Sequence, residues 1–349
     1  MPKSRRMFSA RRSRRPSLAK GVGVLAGTLA GLAGGWILYS RLGIDHQVPL
    51  PKAVDAEREI YFSTESGRTS FYVDRHAEGR PMVLVHSINA GASAYDLSPL
   101  FEAYRNTRPV FALDLPGFGF SERSPRHYSP QLYADTLLEF LETQVPGGAD
   151  VVALSLGSEF AARAVVQSPS LFHSLTLISP TGLGPEDEKE RGSQQAAASG
   201  SSSGLYKAFS FPLWAQAFYD LIATRPSIRY FLQQSFVGEL PEAFVDYAYA
   251  TSHQPGAHYA PLYFISGLLF TPDVRWKYYD RLSVPTLILY DRDAFTRFDQ
   301  LPALVQGSQW IEAARIVNTL GLPHFEKREA TTQEIDRFLA SIPERAASD

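Results

Sequence analysis

The sequence contains no cysteine, which excludes disulfides, thiolate metal sites and a cysteine nucleophile. That absence leaves the redox compartment open. Acidic residues are missing from positions 1–20, where eight Lys/Arg stand together (Lys3, Arg5, Arg6, Arg11, Arg12, Arg14, Arg15, Lys20). The rest of the chain holds 26 basic residues against 36 acidic ones, so its body offers no general basic surface, and no nucleic-acid partner is expected. Residues 21–40, GVGVLAGTLAGLAGGWILYS, carry no charge at all. A phosphate loop and a dinucleotide fingerprint are also lacking. The glycine pairs in GVGVLAG (21–27) and GFGFSE (117–122) stand in the wrong context for either, so no cofactor and no metal is expected.

What is present begins with that uncharged stretch. About 20 helical residues at ~1.5 Å each span the roughly 30 Å hydrocarbon layer of a bilayer. Trp36 and Tyr39 lie where an interfacial aromatic belt would, and Arg41 closes the segment. The basic head places the N-terminus in the cytoplasm and the body on the non-cytoplasmic side. Two readings compete with such an anchor. SRRMF (4–8) is similar to a twin-arginine export signal, with AGG (33–35) its nearest approach to a cleavage site, and a basic tail with a Gly-rich linker is the blander account. Gly23, Gly27, Gly31 and Gly35 recur every four residues. That spacing either admits a second helix for self-association or has no consequence.

The 349 residues suit one large α/β domain with an insertion. The expected division is a basic tail (1–20), an anchor (21–40), a stalk containing VPLPK (41–56), a core in two pieces (57–180 and 281–349) and a helical cap (181–280). In the core, TSFYVDR (69–75) alternates like a half-exposed strand. PMVLVHS (81–87), PVFALDL (109–115), DVVALS (150–155), SLTLIS (174–179), PTLILY (285–290) and ARIVNT (314–319) read as buried strands. Helix-like patterns fall between and after them (95–104, 129–145, 157–168, 331–342). This alternation implies an α/β fold, a mostly parallel sheet with helices on both faces. The cap segment opens with low-complexity sequence (184–204) and then holds 19 of the chain's 43 aromatic residues, enough to suggest an apolar underside as well as a core of its own.

The chemistry concentrates at VVALSLGSEF (151–160), where a strand runs straight into a helix through Ser155. A serine on so sharp a turn is exposed above the sheet edge, provided that the residues two before and two after it are small. Ala153 and Gly157 are small. The helix that follows turns its N-terminal amides towards the serine, and the N–H of Leu156 becomes an oxyanion donor. The bland alternative is a helix-capping serine. A literal G-x-S-x-G, GSSSG (200–204), has no strand before it.

LVHSINAGASAYDLSPLF, FALDLPGFGFSER, VVALSLGSEFAAR, PTLILYDRDAF and GLPHFEK follow one another in the order and spacing of the α/β-hydrolase superfamily, which the chain resembles over roughly 60–180 and 281–342. The resemblance implies a triad in the order Ser, acid, His. Ser155 matches the nucleophile, and His324, after the last strand, matches the base. Asp293 matches the acid by the offset Tyr290-x-x-Asp293, with Asp291 the alternative. The second oxyanion donor would be the N–H of Ile88 in His86-Ser87-Ile88-Asn89. Ser87 replaces the usual glycine there, and the Ser87 or Asn89 side chain is the alternative donor. DLPGFGFS (114–121) reads as a structural turn, and His253 and His258 as ordinary cap residues.

A complete triad would make the protein a membrane-anchored serine hydrolase acting on a small apolar ester, carboxylesterase- or lipase-like, through an acyl-enzyme. C–C bond hydrolysis and acyl transfer use the same residues and stay open. A non-catalytic binding protein on a hydrolase fold is the alternative from another class.

Overall fold

A computed structural model describes residues 18–185 and 202–343, with side chains from Gly31 onwards. Residues 1–17 of the basic tail, SRRMF among them, the low-complexity stretch 186–201 and with it the first two residues of GSSSG lie outside the described residues. The chain divides into two compact units, Met1–Ile44 and Asp45–Asp349. In the first, one helix (α1) runs over Leu18–Gly43 and takes in the whole uncharged segment. Among the described residues, no helix is long and apolar enough to cross a membrane.

The second unit is built on eight strands: β1 (Glu57–Ser63), β2 (Gly67–Asp74), β3 (Met82–Val85), β4 (Val110–Leu113), β5 (Ala149–Leu154), β6 (Phe172–Ile178), β7 (Thr286–Arg292) and β8 (Ile311–Leu320). They form one sheet in the order β1-β2-β4-β3-β5-β6-β7-β8. β1, β2 and β4 pair antiparallel, and the pairs from β4 to β8 are parallel. Alternate residues feed two cores. Val83, Val85, Val151, Ala153, Leu175 and Leu177 pack on one face with Tyr133, Leu137 and Phe140 of α3 (Pro130–Gln144) and with Phe160 of α4 (Gly157–Gln167). Met82, Leu84, Val152, Leu154, Leu287 and Leu289 pack on the other, with Leu100 and Phe101 of α2 (Ser98–Tyr104) and Ile335 and Phe338 of the C-terminal helix Arg328–Ser341. The expected strands and helices are thus in place.

Three details differ from the sequence reading. β1 is a strand that the sequence pattern does not announce, because it lies at the sheet edge and alternates charged and apolar residues unevenly. The segment expected as a stalk ends in Ala53, Val54 and Ala56, which are buried, and the Ala53 N–H donates to the Tyr72 hydroxyl (3.0 Å). In GSSSG, Ser202 opens the helix Ser202–Phe209 rather than lying in a linker.

The cap follows β6 as short helices between Ser202 and Lys277. Its aromatics are split in role. Phe236, Phe244 and Tyr247 are buried against Tyr95 and Phe325 of the core, whereas Tyr230 and Phe231 are exposed.

Candidate active site

Ser155 follows the last residue of β5 and precedes α4, with a φ of +49°. A non-glycine residue in the left-handed region costs on the order of 1–3 kcal/mol and persists only where its surroundings enforce it. Here the Ser155 N–H donates to the Ile178 carbonyl (2.8 Å), and its carbonyl accepts the Ser158 N–H (3.0 Å). The small flanks are a steric necessity. Ala153 is fully buried between Val85 and Leu177 in the sheet register, and a Cβ on Gly157 would fall 2.6 Å from the His86 carbonyl oxygen. Among the described residues, the Ser155 hydroxyl has no hydrogen-bond partner, and neither has the Leu156 N–H.

The loop after β3 closes over this turn. The Leu115 N–H donates to His86 Nε2 (2.9 Å), and His86 Nδ1 donates to the Ser87 carbonyl, so the ring braces the loop and does not act as a base. Burial holds its pKa down at about 4. Ile88 is buried, and Asn89 Oδ1 accepts the Gly91 N–H (2.8 Å). The cap roofs the loop: the Tyr219 hydroxyl donates to the Ala90 carbonyl (2.6 Å), and a Cβ on Gly91 would fall 2.8 Å from the Ala248 carbonyl oxygen.

The DLPGFGFS turn is structural, as its residues suggest. Asp114 is buried, accepts the N–H groups of Ala94 (3.0 Å) and Phe120 (2.9 Å), and is pushed up to about 6 by burial. A Cβ on Gly119 (φ +51°) would come within 2.0 Å of that carboxylate. Two surface clefts, one beside Asp74 and Arg105 and one beside Tyr104 and Arg328, are lined by neither Ser155 nor Asp293.

The two acids separate cleanly. Asp291, the alternative acid, still belongs to β7; its carboxylate accepts Arg315 Nε (2.7 Å) and the Thr319 N–H (3.1 Å), and these partners hold its pKa down despite burial. It is committed to joining β7 to β8. Asp293 follows the strand. Its Oδ1 accepts the N–H groups of Phe295 (2.7 Å) and Thr296 (3.3 Å), and burial raises its pKa against their pull.

The triad itself is not assembled. His324 lies in the short helix Pro323–Glu326, fully buried. Its Nε2 donates to the Asp96 carbonyl (2.7 Å), and its Nδ1 has no partner. Neither ring nitrogen bonds Ser155 or Asp293, which corrects the assignment of His324 as the base. Burial holds the imidazole neutral, with its pKa down at about 4. His324 sits on this short helical turn beside Phe325, which stacks on Phe244.

A family model described as the alpha/beta hydrolase family matches residues 82–333. The chain belongs to that family. An esterase of Mycobacterium tuberculosis is 36% identical over 120 residues, covering 34% of this chain and 39% of that protein. An (E)-2-((N-methylformamido)methylene)succinate hydrolase of Acinetobacter baylyi is 27% identical over 113 residues, 32% of this chain and 42% of the relative. The chain therefore spans less than half the length of these curated relatives. The fold of this α/β hydrolase is shared more widely. A probable hydrolytic enzyme from Pseudomonas aeruginosa superposes with a TM-score of 0.67 at 20% identity, over 84% of this chain and 99% of that one. A membrane phospholipase A superposes with a TM-score of 0.62 at 17% identity, over 94% and 98%.

Proposed function

We propose that this α/β hydrolase acts on an apolar carboxylic ester, with Ser155 as the nucleophile that takes the acyl group. The observation that carries the reading is the backbone of Ser155 itself. A serine in the left-handed region between a buried strand and a helix N-terminus is costly to keep and presents its hydroxyl above the sheet edge. The N–H groups of Leu156, the next residue, and of Ile88, in the loop after β3, are the candidate oxyanion donors, and the aromatic content of the cap sequence suits an apolar acyl group. The esterase among its relatives agrees with this class of substrate.

The test is intact-mass analysis of the full chain after prolonged exposure to a fluorophosphonate, beside Ser155→Ala. A single adduct in the wild type that Ser155→Ala lacks is expected. Equal labelling of both proteins, or none in either folded protein, removes Ser155 as the nucleophile. One observation favours a second reading, an ester-binding protein without turnover: His324 is bonded away from Ser155. Saturable ester binding with no adduct would select it.

We further propose that residues 21–40 anchor the protein, with the hydrolase unit on the non-cytoplasmic side. The support is the sequence, an uncharged stretch of 20 residues behind a basic head. Retention of the full chain in membranes after alkaline carbonate extraction is the expected result, and release into the supernatant would refute it.

A further inference from the structure

The residue that directly follows β8 is Gly321, and it stands against Asp293. Its N–H donates to the Arg292 carbonyl (3.2 Å), and a Cβ built on it would lie 2.8 Å from Asp293 Oδ2. Only Oδ1 of that carboxylate is engaged by the protein among the described residues. The acid's loop reaches back towards the nucleophile, since the Thr296 hydroxyl donates to the carbonyl of Pro180, just after β6 (3.3 Å). β5, β6, β7 and β8 are parallel neighbours. Ser155, Asp293 and Gly321 therefore all leave the sheet at its carboxyl edge, each at or near the end of its strand.

We propose that position 321 is the base station of this site, and that the chain leaves it open for a small nitrogen base of the imidazole class. The proposal rests on Ser155 as nucleophile. A side chain at 321 would meet Asp293 at its first carbon, so an imidazole carried there has the acid as a ready partner. Residue 324, three positions on, is bonded to Asp96 instead. With glycine at 321, no histidine among the described residues is hydrogen-bonded to Asp293 or to Ser155 to move the proton.

An imidazole bound beside Asp293 donates its N–H to Oδ2 and accepts the Ser155 proton on its other nitrogen as Oγ attacks the ester carbonyl carbon. When the tetrahedral intermediate collapses, the carbon–oxygen bond to the alcohol breaks, and the imidazolium returns the proton to the departing oxygen. The acyl group remains on Ser155, and water removes it with the same base taking and returning a proton. No oxidant or metal is needed for this balance.

The experiment is hydrolysis of p-nitrophenyl butyrate by the full chain with and without added imidazole, after subtraction of the protein-free reaction. The expected result is a saturable rise of about tenfold or more that is lost in Ser155→Ala and in Asp293→Ala. Gly321→His should raise turnover by about a hundredfold without added imidazole, since a positioned general base contributes on the order of 10²–10⁴. The φ of +70° and the close Asp293 contact strain that variant, so its folding is followed by circular dichroism, and the imidazole response of the wild type carries the test if it unfolds. An adduct on Ser155 with no response to imidazole overturns the open-base proposal and leaves the nucleophile standing. Absence of any Ser155 adduct overturns the nucleophile reading and the proposal with it.

Discussion

His324 Nε2 lies 2.7 Å from the carbonyl oxygen of Asp96, a residue 228 positions earlier in the chain. That bond ties the segment after β8 to the turn before α2 and fixes the imidazole as a structural donor. Fully buried and neutral, with its Nδ1 unpartnered, the ring packs in the core and is not bonded to Ser155, whose proton a base would have to take.

Replacement of His324 should therefore cost stability and spare chemistry. His324→Gln retains a donor near the Nε2 position, and its rate of Ser155 acylation should stay within about threefold of the wild type. His324→Ala leaves a cavity and an unpaired carbonyl, for a loss of about 2–4 kcal/mol in urea unfolding. A fall of about 10³-fold in acylation by a folded Gln variant would restore His324 as the base.

The pH dependence follows from the same ring. Its folded pKa of about 4 lies below the ordinary 6.5, so the unfolded chain binds the proton first. The stability it contributes is complete above pH 6.5 and is lost as pH falls towards 4, at about 1.4 kcal/mol per unit. Glu159 has the opposite sign. Burial raises it from 4.5 to about 7 against the pull of the Thr181 hydroxyl and the Thr271 N–H, so its contribution is complete below 4.5 and lost as pH rises through 7. Urea unfolding at pH 5 and 7 should show a smaller acid loss in His324→Gln than in the wild type. Glu159→Gln should close its gap to the wild type between pH 5 and 8. An unchanged difference in either series contradicts the assignment.

Gly157→Ala probes the turn. The added carbon would meet the His86 carbonyl oxygen at 2.6 Å, and backbone cannot swing aside as a side-chain tip can. A loss of about 2 kcal/mol or more is expected, with Ser155 labelling reduced alongside it. Full labelling at wild-type stability would show that the turn tolerates bulk.

Asp291→Asn should separate the two acids. It weakens the Arg315 and Thr319 contacts of a buried carboxylate, for about 1–2 kcal/mol because Arg315 is itself largely exposed. Ester turnover in the presence of imidazole should be unchanged, whereas Asp293→Asn should abolish the imidazole response. The reverse pattern would move the acid to Asp291.

Much of this was legible in the residues. The apolar runs of β3 to β7 are buried on both faces, so their composition alone announces them, and β1 escaped notice because an edge strand is half solvated and its alternation is blurred. The turn at Ser155 was equally readable, since it is governed by the volumes of its immediate neighbours, Ala153 and Gly157. Asp293 could be separated from Asp291 only once Arg315 and Thr319 were seen to hold the latter inside β7.

Local sterics and periodicity in the sequence determined the parallel sheet, the position of the turn at Ser155 and the helical insertion after β6. Tertiary structure alone decided which way the residues after β8 face. Gly321 and His324 are three positions apart, across the start of a helical turn; the first is held by its N–H bond to the Arg292 carbonyl, next to Asp293, and the second by its bond to the distant Asp96. Spacing along a chain does not encode such contacts, and they turn the histidine inward and leave the glycine beside the acid.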